Sequence, residues 1–157
     1  MIKINTKIEM LCRMVLFCLI MASSSIELIS QNNYDSYWQE WVDESNTDST
    51  RLDNFHLFIK KKFLYSNPDS AYVLSEILYD YAQSRGISKY MSLAKIVQGS
   101  VESLRGNYEL AVENFNIGLE ISQDINYYEG IAASLINLGI QEYEYGNYLE
   151  AIEYYKE

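Results

Sequence analysis

The side chains that could do chemistry in this sequence are few, and they do not form a catalytic pattern. His56 is the only histidine of the 157 residues, and it is followed four positions later by Lys60. A general base needs a reacting group within hydrogen-bond reach, and no Ser or Cys partner of His56 is identifiable. Glu142 and Glu144 point to different faces of a helix, so they do not form a catalytic carboxylate pair. The sequence therefore predicts no catalytic residue.

Metal and cofactor sites are not predicted either. The only two cysteines, Cys12 and Cys18, lie in the first 30 residues, and no His/Cys cluster or carboxylate loop has metal-ligand spacing. Gly106-Asn-Tyr and Gly146-Asn-Tyr lack the Gly-x4-Gly-Lys-Ser/Thr pattern of a phosphate-binding loop. We interpret both as turns, and we assign no metal-ligating or cofactor-binding residue.

Residues 1–30 are predicted to be a secretory signal peptide. Three basic residues precede an apolar run of nine residues, Met14 to Ala22, and three serines follow it. Basic, apolar and small residues in this order are typical of an export signal, and the run is shorter than the about 20 apolar residues of a membrane span. Cleavage is expected near Ala22 or nearer Gln31, and an uncleaved N-terminal anchor is the alternative. The chain is thus expected on the periplasmic or extracytoplasmic side of the inner membrane.

Charge and cysteine content limit the partners of the mature chain. Without residues 1–30, nine Lys/Arg face twenty Asp/Glu, which is a net charge of −11. An acidic surface without a basic stripe is a poor match to a phosphate backbone, so no nucleic-acid partner is expected. Loss of Cys12 and Cys18 with the signal would leave no thiol, which excludes disulfides and thiolate sites.

The organisation of the chain follows from a pattern that occurs twice, forty residues apart. Its two copies are Gly99-x6-Gly106-Asn-Tyr108-x2-Ala111-x3-Phe115 and Gly139-x6-Gly146-Asn-Tyr148-x2-Ala151-x3-Tyr155. A helical pattern with a period of roughly 20–50 residues indicates a solenoid. The Gly-Asn pair suits the end of one helix, and the small alanine suits the close approach of the next. Each copy is therefore predicted to be an antiparallel helix pair.

These signature positions resemble the tetratricopeptide repeat, in its 40-residue form with extended helices. The resemblance implies an all-α solenoid of antiparallel helix pairs, with about seven helices and an incomplete C-terminal end. We interpret 51–84 as a degenerate repeat in which Pro68 starts the second helix, 88–124 as a full repeat and 128–157 as a truncated one. Because repeat arrays need a capping unit, we expect the chain to be a fragment, or its last helix to dock on another surface.

Residues 31–50 are predicted to be an aromatic capping segment and linker. Trp38 and Trp41 are three residues apart, so a short helix would place them on one face. We interpret them as a cover for the open end of the first hairpin, with an aromatic ligand platform as the alternative. Ser49 or Thr50 is expected to cap the helix that follows.

The function expected of such an array is to bind a protein or peptide. In the final repeat, the inner wall would present Ala133, Ile136, Asn137, Ile140, Tyr143 and Glu144. An asparagine amide can donate and accept at once, which suits it to hold an extended peptide backbone. The preceding repeat has Val97 in place of Asn137, so no asparagine ladder is predicted. The array lacks the inward Lys/Arg cluster of tetratricopeptide chaperone cofactors, so we expect a basic or apolar partner, with self-association as an alternative.

Further motifs resemble the exported N-terminal part of large bacterial sensory proteins, especially of the Bacteroidetes type. They are Trp38-x2-Trp41-x-Asp43, Asp48-Ser-Thr-Arg51-Leu52, Asn67-Pro-Asp-Ser-Ala71 and Tyr79-Asp-Tyr-Ala82. In that family, a signal peptide and 40-residue repeats precede a membrane helix and an intracellular adenylate/guanylate cyclase or histidine kinase domain.

This resemblance implies the input region of a signalling enzyme, foremost a nucleotide cyclase, whose activity would belong to sequence beyond Glu157. Membrane contact would then come only from the N-terminal signal or from a downstream helix. The alternatives are the input region of a histidine kinase and a free-standing periplasmic scaffold. A periplasmic enzyme is a third alternative, and its turnover would have to survive the loss of His56.

Overall fold

The computed structural model describes residues 34–157, and within this range the chain consists of helices joined by short turns, with no strand. The predicted signal peptide lies outside the described residues. The seven α-helices, numbered in chain order, are α1 (Tyr34–Val42), α2 (Asp48–Phe58), α3 (Pro68–Arg85), α4 (Ser88–Leu104), α5 (Tyr108–Asp124), α6 (Tyr128–Tyr145) and α7 (Tyr148–Lys156). The prediction of an all-α fold with about seven helices is confirmed.

The turns inside the two repeat copies are formed by glycine followed by asparagine. Gly106 and Gly146 have φ values of 76° and 92°, in the left-handed region that glycine enters without a Cβ clash. The N–H of Asn107 donates to the carbonyl of Glu102 at 2.9 Å, and the same bond recurs forty residues later at 2.8 Å. These bonds close the preceding helix, as the repeat pattern predicted.

The connection from α2 to α3 combines a π-helical turn with a proline. The π turn, Ile59–Phe63, continues α2, and the N–H of Leu64 donates to the carbonyl five residues back at 3.2 Å. Pro68 then occupies the first turn of α3, where its missing N–H costs no helical bond. Asn67 caps α3 by accepting from the Ser70 N–H at 3.0 Å. The predicted role of Pro68 is confirmed, whereas the π turn was not predicted.

The prediction that Ser49 or Thr50 caps α2 is wrong. The helix begins at Asp48, and Thr47 is the cap: its Oγ1 accepts from the Thr50 N–H at 3.2 Å. Thr47 has the extended backbone that a cap requires, with φ −65° and ψ 152°. Ser49 and Thr50 instead lie within the first helical turn, two and three residues after Thr47.

Adjacent helices pack as antiparallel pairs, and the pairs stack into the expected tetratricopeptide-like solenoid. A core cluster joins three successive helices and consists of Ile96 on α4, Ala111 and Phe115 on α5, and Leu138 on α6. Its members are between 0% and 8% exposed. The repeat signature residues Ala111 and Phe115 therefore lie at the centre of the array, where burial of apolar surface stabilises the stack.

Gly99 and Gly139 lie where the helices of a pair approach each other closely. A Cβ atom on Gly99 would lie 2.6 Å from the ring of Phe115 and 3.1 Å from the carbonyl oxygen of Ala111. A Cβ atom on Gly139 would overlap the ring of Tyr155. In both units, an aromatic ring of the second helix occupies the space that a side chain at the glycine would need.

Gly99→Ala is expected to lower the free energy of unfolding by about 2 kcal/mol, because the facing ring of Phe115 is fully buried and has no space to move. Gly139→Ala is the matched control, since Tyr155 is 52% exposed and can turn toward solvent. Replacing glycine by alanine inside a helix stabilises the helix by about 1 kcal/mol. We therefore expect the control variant to be as stable as the parent chain or slightly more stable. Urea unfolding of both variants measures the difference, and equal losses would contradict the prediction.

Helix α1 packs its two tryptophans against the first helix pair, which consists of α2 and α3. Trp41 is 4% exposed and stacks on Phe55, with ring centroids 4.3 Å apart and planes at 10°. The ring of Trp38 lies 5.4 Å from that of Phe58. The prediction that both indoles share one face is confirmed. Because Trp41 is packed into the core, its position supports the capping interpretation over a ligand platform.

Arg51 connects α1 to both helices of the first pair, although only 9% of this charged residue is exposed. Its Nε donates to the carbonyl of Trp41 at 2.9 Å, and its Nη1 donates to the hydroxyl of Tyr81 at 2.7 Å. That hydroxyl in turn donates to Oδ1 of Asp48 at 2.7 Å. A buried charge is tolerated only when it is paired and hydrogen-bonded, and these three partners meet that condition.

Candidate functional site

The six residues of the predicted inner wall form one stripe along α6, because they recur every three or four positions. Ile136, Ile140 and Tyr143 are apolar side chains that are 52%, 38% and 61% exposed. Glu144 is exposed as well, whereas Ala133 is half-buried against the core cluster. We call these residues and Asn137 the α6 stripe. Its apolar surface is accessible, and its peptide-binding role stays a prediction.

Asn137 lies in the middle of the α6 stripe and is half-buried. Its Nδ2 donates to the carbonyl of Ala133, one helical turn back, at 2.7 Å. This bond uses one of the two N–H donors of the amide and holds the side chain along its own helix. A peptide backbone would need the second N–H donor and the Oδ1 acceptor. The geometry is thus compatible with the predicted peptide contact.

The net charge is concentrated in the C-terminal part of the array. Residues 106–157 contain ten Asp/Glu and one Lys, a net charge of −9, whereas residues 34–105 have a net charge of −2. Exposed carboxylates flank the apolar side chains on α6 and α7, as Glu144, Glu150 and Glu153 do. Such a surface attracts basic ligands, and added salt weakens the attraction.

Glu102 and Glu142 occupy equivalent positions of the two repeats, and each stabilises the turn that follows it by a hydrogen bond. Oε2 of Glu102 accepts from Nδ2 of Asn107 at 2.6 Å, and Oε2 of Glu142 accepts from Nδ2 of Asn147 at 2.7 Å. Oε1 of Glu142 also accepts from the hydroxyl of Tyr108 at 2.7 Å, which links one unit to the next. Sequence reasoning missed this role, although the recurrence of Glu and Asn at a spacing of five was visible.

The pKa of Tyr108 reflects its burial and its hydrogen bond to Glu142. Burial, and then the hydrogen bond to Glu142, raise the pKa of Tyr108 to about 12. The ring of Tyr108 also stacks on that of Tyr145, with centroids 4.4 Å apart. The hydroxyl is therefore a neutral donor to a carboxylate at all physiological pH values.

Tyr108→Phe is expected to lower the free energy of unfolding by about 1 kcal/mol, because it removes a hydrogen bond to a charged acceptor and retains the ring. Tyr148→Phe is the matched control at the same repeat position, where the side chain is 59% exposed. The control should unfold at the urea concentration of the parent chain. If both variants lost the same stability, the bond to Glu142 would not be the cause.

His56 lies on α2 and is not part of the α6 stripe. Its Nδ1 is buried and has no hydrogen-bond partner. Burial, and to a lesser extent the positive charge of Lys60, lower the pKa of His56 to about 4. The imidazole is therefore neutral at pH 7. The other charged neighbours are Asp53, which raises the pKa of His56, and Lys89, which lowers it.

Metal-ion binding and membrane crossing are two further functions that residues 34–157 could have. No three His, Cys, Asp or Glu side chains of this range come together as a metal ion would require. In the same range, no helix combines the length and the apolar content needed to cross a membrane. Cys12, Cys18 and the N-terminal apolar run lie outside the described residues.

Comparison with known proteins supports the resemblance that the repeat pattern indicated. The family described as tetratricopeptide repeat matches residues 91–157, which include both copies of the pattern. No curated protein and no solved structure matches the chain. The predicted degenerate repeat at 51–84 lies before the match, so its assignment and the domain boundaries stay predictions. The helix pairs and the family match together support a tetratricopeptide repeat region at residues 91–157.

Proposed function

We propose that this chain is a non-catalytic protein-binding array that forms the extracytoplasmic input region of a bacterial signalling protein, such as a nucleotide cyclase. The observation that carries the binding part is the tetratricopeptide repeat region with its exposed α6 stripe. Tetratricopeptide repeats typically mediate contacts between proteins and are generally non-catalytic. The signalling part is supported by the resemblance of residues 38–82 to exported sensory proteins, and export by the N-terminal basic and apolar pattern.

The partner we propose has basic and apolar side chains. The α6 stripe offers Ile136, Ile140 and Tyr143 to apolar groups, and the net charge of −9 on residues 106–157 favours a cationic ligand. An extended peptide fits because Asn137 can accept from and donate to a peptide backbone. Association should therefore weaken as the salt concentration rises.

A library of displayed linear peptides, selected on the purified chain, tests this binding function. Enriched peptides are expected to contain Lys or Arg beside apolar residues, and Ile140→Glu should weaken their binding about tenfold. Val73→Glu is the control, because Val73 is 53% exposed on α3 and the equivalent positions 113 and 153 are glutamates. Peptides that bind the Ile140→Glu variant as well as the parent would exclude the α6 stripe as the site.

Export is tested with alkaline phosphatase fused after Glu157, because this reporter needs disulfides that form only outside the cytoplasm. The parent fusion is expected to be active in cells. Leu16→Arg with Leu19→Arg interrupts the apolar run and should abolish the activity. An inactive parent fusion would refute the extracytoplasmic location.

The signalling assignment is tested by reading the gene past the codon for Glu157. We expect an open frame that leads to a membrane helix of about 20 apolar residues and then a cyclase domain. A histidine kinase domain in that place would replace the cyclase. A stop codon would favour the free-standing periplasmic scaffold.

A further inference from the structure

The first helices of the three pairs, α2, α4 and α6, change in charge along the array. Residues 48–63, which form α2 and its π turn, contain four Lys/Arg and two Asp/Glu. Residues 128–145, which form α6, contain three Glu and no Lys or Arg. The second helices α3, α5 and α7 each contain more Asp/Glu than Lys/Arg. A ligand that spans the first helices therefore meets a positive end and a negative end.

Successive first helices lie side by side, because α2 contacts α4 and α4 contacts α6. The axes of packed helices are about 8–10 Å apart. Residues forty positions apart hold equivalent places on these helices, as Lys60, Ser100 and Ile140 do. A ligand that lies across the three helices thus meets equivalent positions at a regular interval.

Lys60 and Glu144 are exposed charges at the two ends of this arrangement. Among the described side chains, neither of them takes part in an ion pair. Lys60 follows His56 by about one helical turn, and His56 has Lys89 of α4 among its charged neighbours. This side of α2 therefore faces α4, and Lys60 can reach a ligand that continues onto α4 and α6.

Leu104 offers an apolar contact between the two charges. It is 50% exposed although α6 packs beside α4. Glu144 holds the equivalent position on α6, so a further helix pair after α7 would leave its carboxylate accessible too. Ile140, one turn before Glu144, is 38% exposed and extends the apolar surface. We call Lys60, Leu104, Ile140 and Glu144 the inner row.

The interval between the helices matches the period of a polyproline II helix. Such a segment has three residues per turn and rises about 3.1 Å per residue, so side chains recur on one side about every 9 Å. This distance agrees with the axis separation of packed helices, about 8–10 Å. A β-strand repeats its side chains about every 7 Å, so it would lose the register over three helices.

We infer that the inner row binds a polyproline II segment of a partner protein in which an acidic, an apolar and a basic residue follow one another at intervals of three. The acidic side chain pairs with Lys60, the apolar one packs on Leu104, and the basic one pairs with Glu144. This inference rests on the proposed protein-binding function and specifies its ligand. The ligand is no longer generally basic, because its two ends carry opposite charges.

A second copy of this chain does not offer such a segment within residues 34–157. The longest connection between its helices in this range, 43–47, has five residues, whereas the inferred motif spans seven. The occupant is therefore a segment of another protein, and charge complementarity defines its pattern.

Four fluorescein-labelled peptides test the inference. The first contains Glu, Leu and Arg separated by two prolines each, and the second has the opposite order, because either chain direction places the charges correctly. The third has Arg at both ends, and the fourth has the residues of the first with single prolines between them. Fluorescence anisotropy at low salt should show the first or the second peptide binding about fivefold more tightly than the third and the fourth. The third places two positive charges together at Lys60, and the fourth has the wrong spacing.

Lys60→Glu is expected to reverse the preference, so that the peptide with two Arg ends binds more tightly than the mixed ones. Lys61→Glu is the matched control, because it changes the net charge equally. The Nζ of Lys61 donates to the hydroxyl of Tyr37 on α1 at 2.7 Å, so this side chain is directed to the other neighbour of α2. The control should keep the preference of the parent chain. Glu144→Lys should favour a peptide with Glu at both ends.

Several results would overturn the inference. They are an absence of binding by all four peptides, equal affinity for mixed and doubly basic peptides, and equal effects of Lys60→Glu and Lys61→Glu. The peptide-binding proposal for the α6 stripe would survive each of them, because the displayed library has no fixed spacing or charge order. That proposal fails only if the library yields no ligand or if Ile140→Glu leaves binding unchanged.

Discussion

Phe115→Ala is expected to lower the free energy of unfolding by about 4 kcal/mol. Phe115 is fully buried in the core cluster, where it contacts residues of α4 and α6 as well as its own helix. Gly99 faces the ring and has no side chain that could fill the space left by truncation. Because domains are stable by only about 5–15 kcal/mol, this one substitution removes a large share of the stability.

The matched control is Tyr155→Ala, at the same position of the following unit. Tyr155 is 52% exposed, so we expect its truncation to cost about 1 kcal/mol or less. Urea unfolding followed by circular dichroism measures both variants, and a common m-value would allow their midpoints to be compared. Similar losses in the two variants would show that α6 does not cover Phe115 as the structure describes.

Acidification is expected to remove about 3 kcal/mol of stability through His56. Burial lowers the pKa of His56 to about 4 in the folded chain, whereas an unfolded chain has a histidine pKa of about 6.5. Between these values, the unfolded chain binds more protons than the folded one, so protonation favours unfolding. The stability is complete above pH 6.5 and is lost as the pH falls toward 4.

His56→Gln separates this effect from the titration of the carboxylates. The variant retains a polar side chain that does not titrate, and it leaves Lys60, Asp53 and Lys89 in place. The free energy of unfolding of the parent should fall more steeply than that of the variant between pH 6.5 and pH 4. Parallel pH profiles would mean that the imidazole is hydrated and has an ordinary pKa.

Most of the architecture could be predicted from local patterns in the sequence. Gly106 and Gly146 end helices because of backbone conformation, and Pro68 begins one because it lacks an N–H. Both properties belong to the residue itself and do not depend on distant contacts. The forty-residue period then identifies the helix pairs. Each pair must pack against its neighbours in the same way, so similar residues recur at equivalent positions.

Errors and omissions occurred where several residues were equally suitable. Thr47, Ser49 and Thr50 all have the hydroxyl of a cap, and in the structure it is Thr47 that has this role. The π turn was missed for a similar reason. Phe58 and Phe63 are five residues apart and would point in different directions from an α-helix with 3.6 residues per turn, yet their rings lie 5.3 Å apart. The wider turn lets both rings enter the core.

By itself, the sequence determined the repeat period, the turns and the positions of the recurring glycines. Only the tertiary structure decided which side chains connect the units, as Glu142 does with Tyr108 and Arg51 does with Tyr81, across 34 and 30 residues of chain. It also decided that Phe115 is covered while Tyr155 is exposed. The physical reason is that turn conformation depends on a few adjacent residues, whereas burial and hydrogen bonding depend on which helix packs alongside.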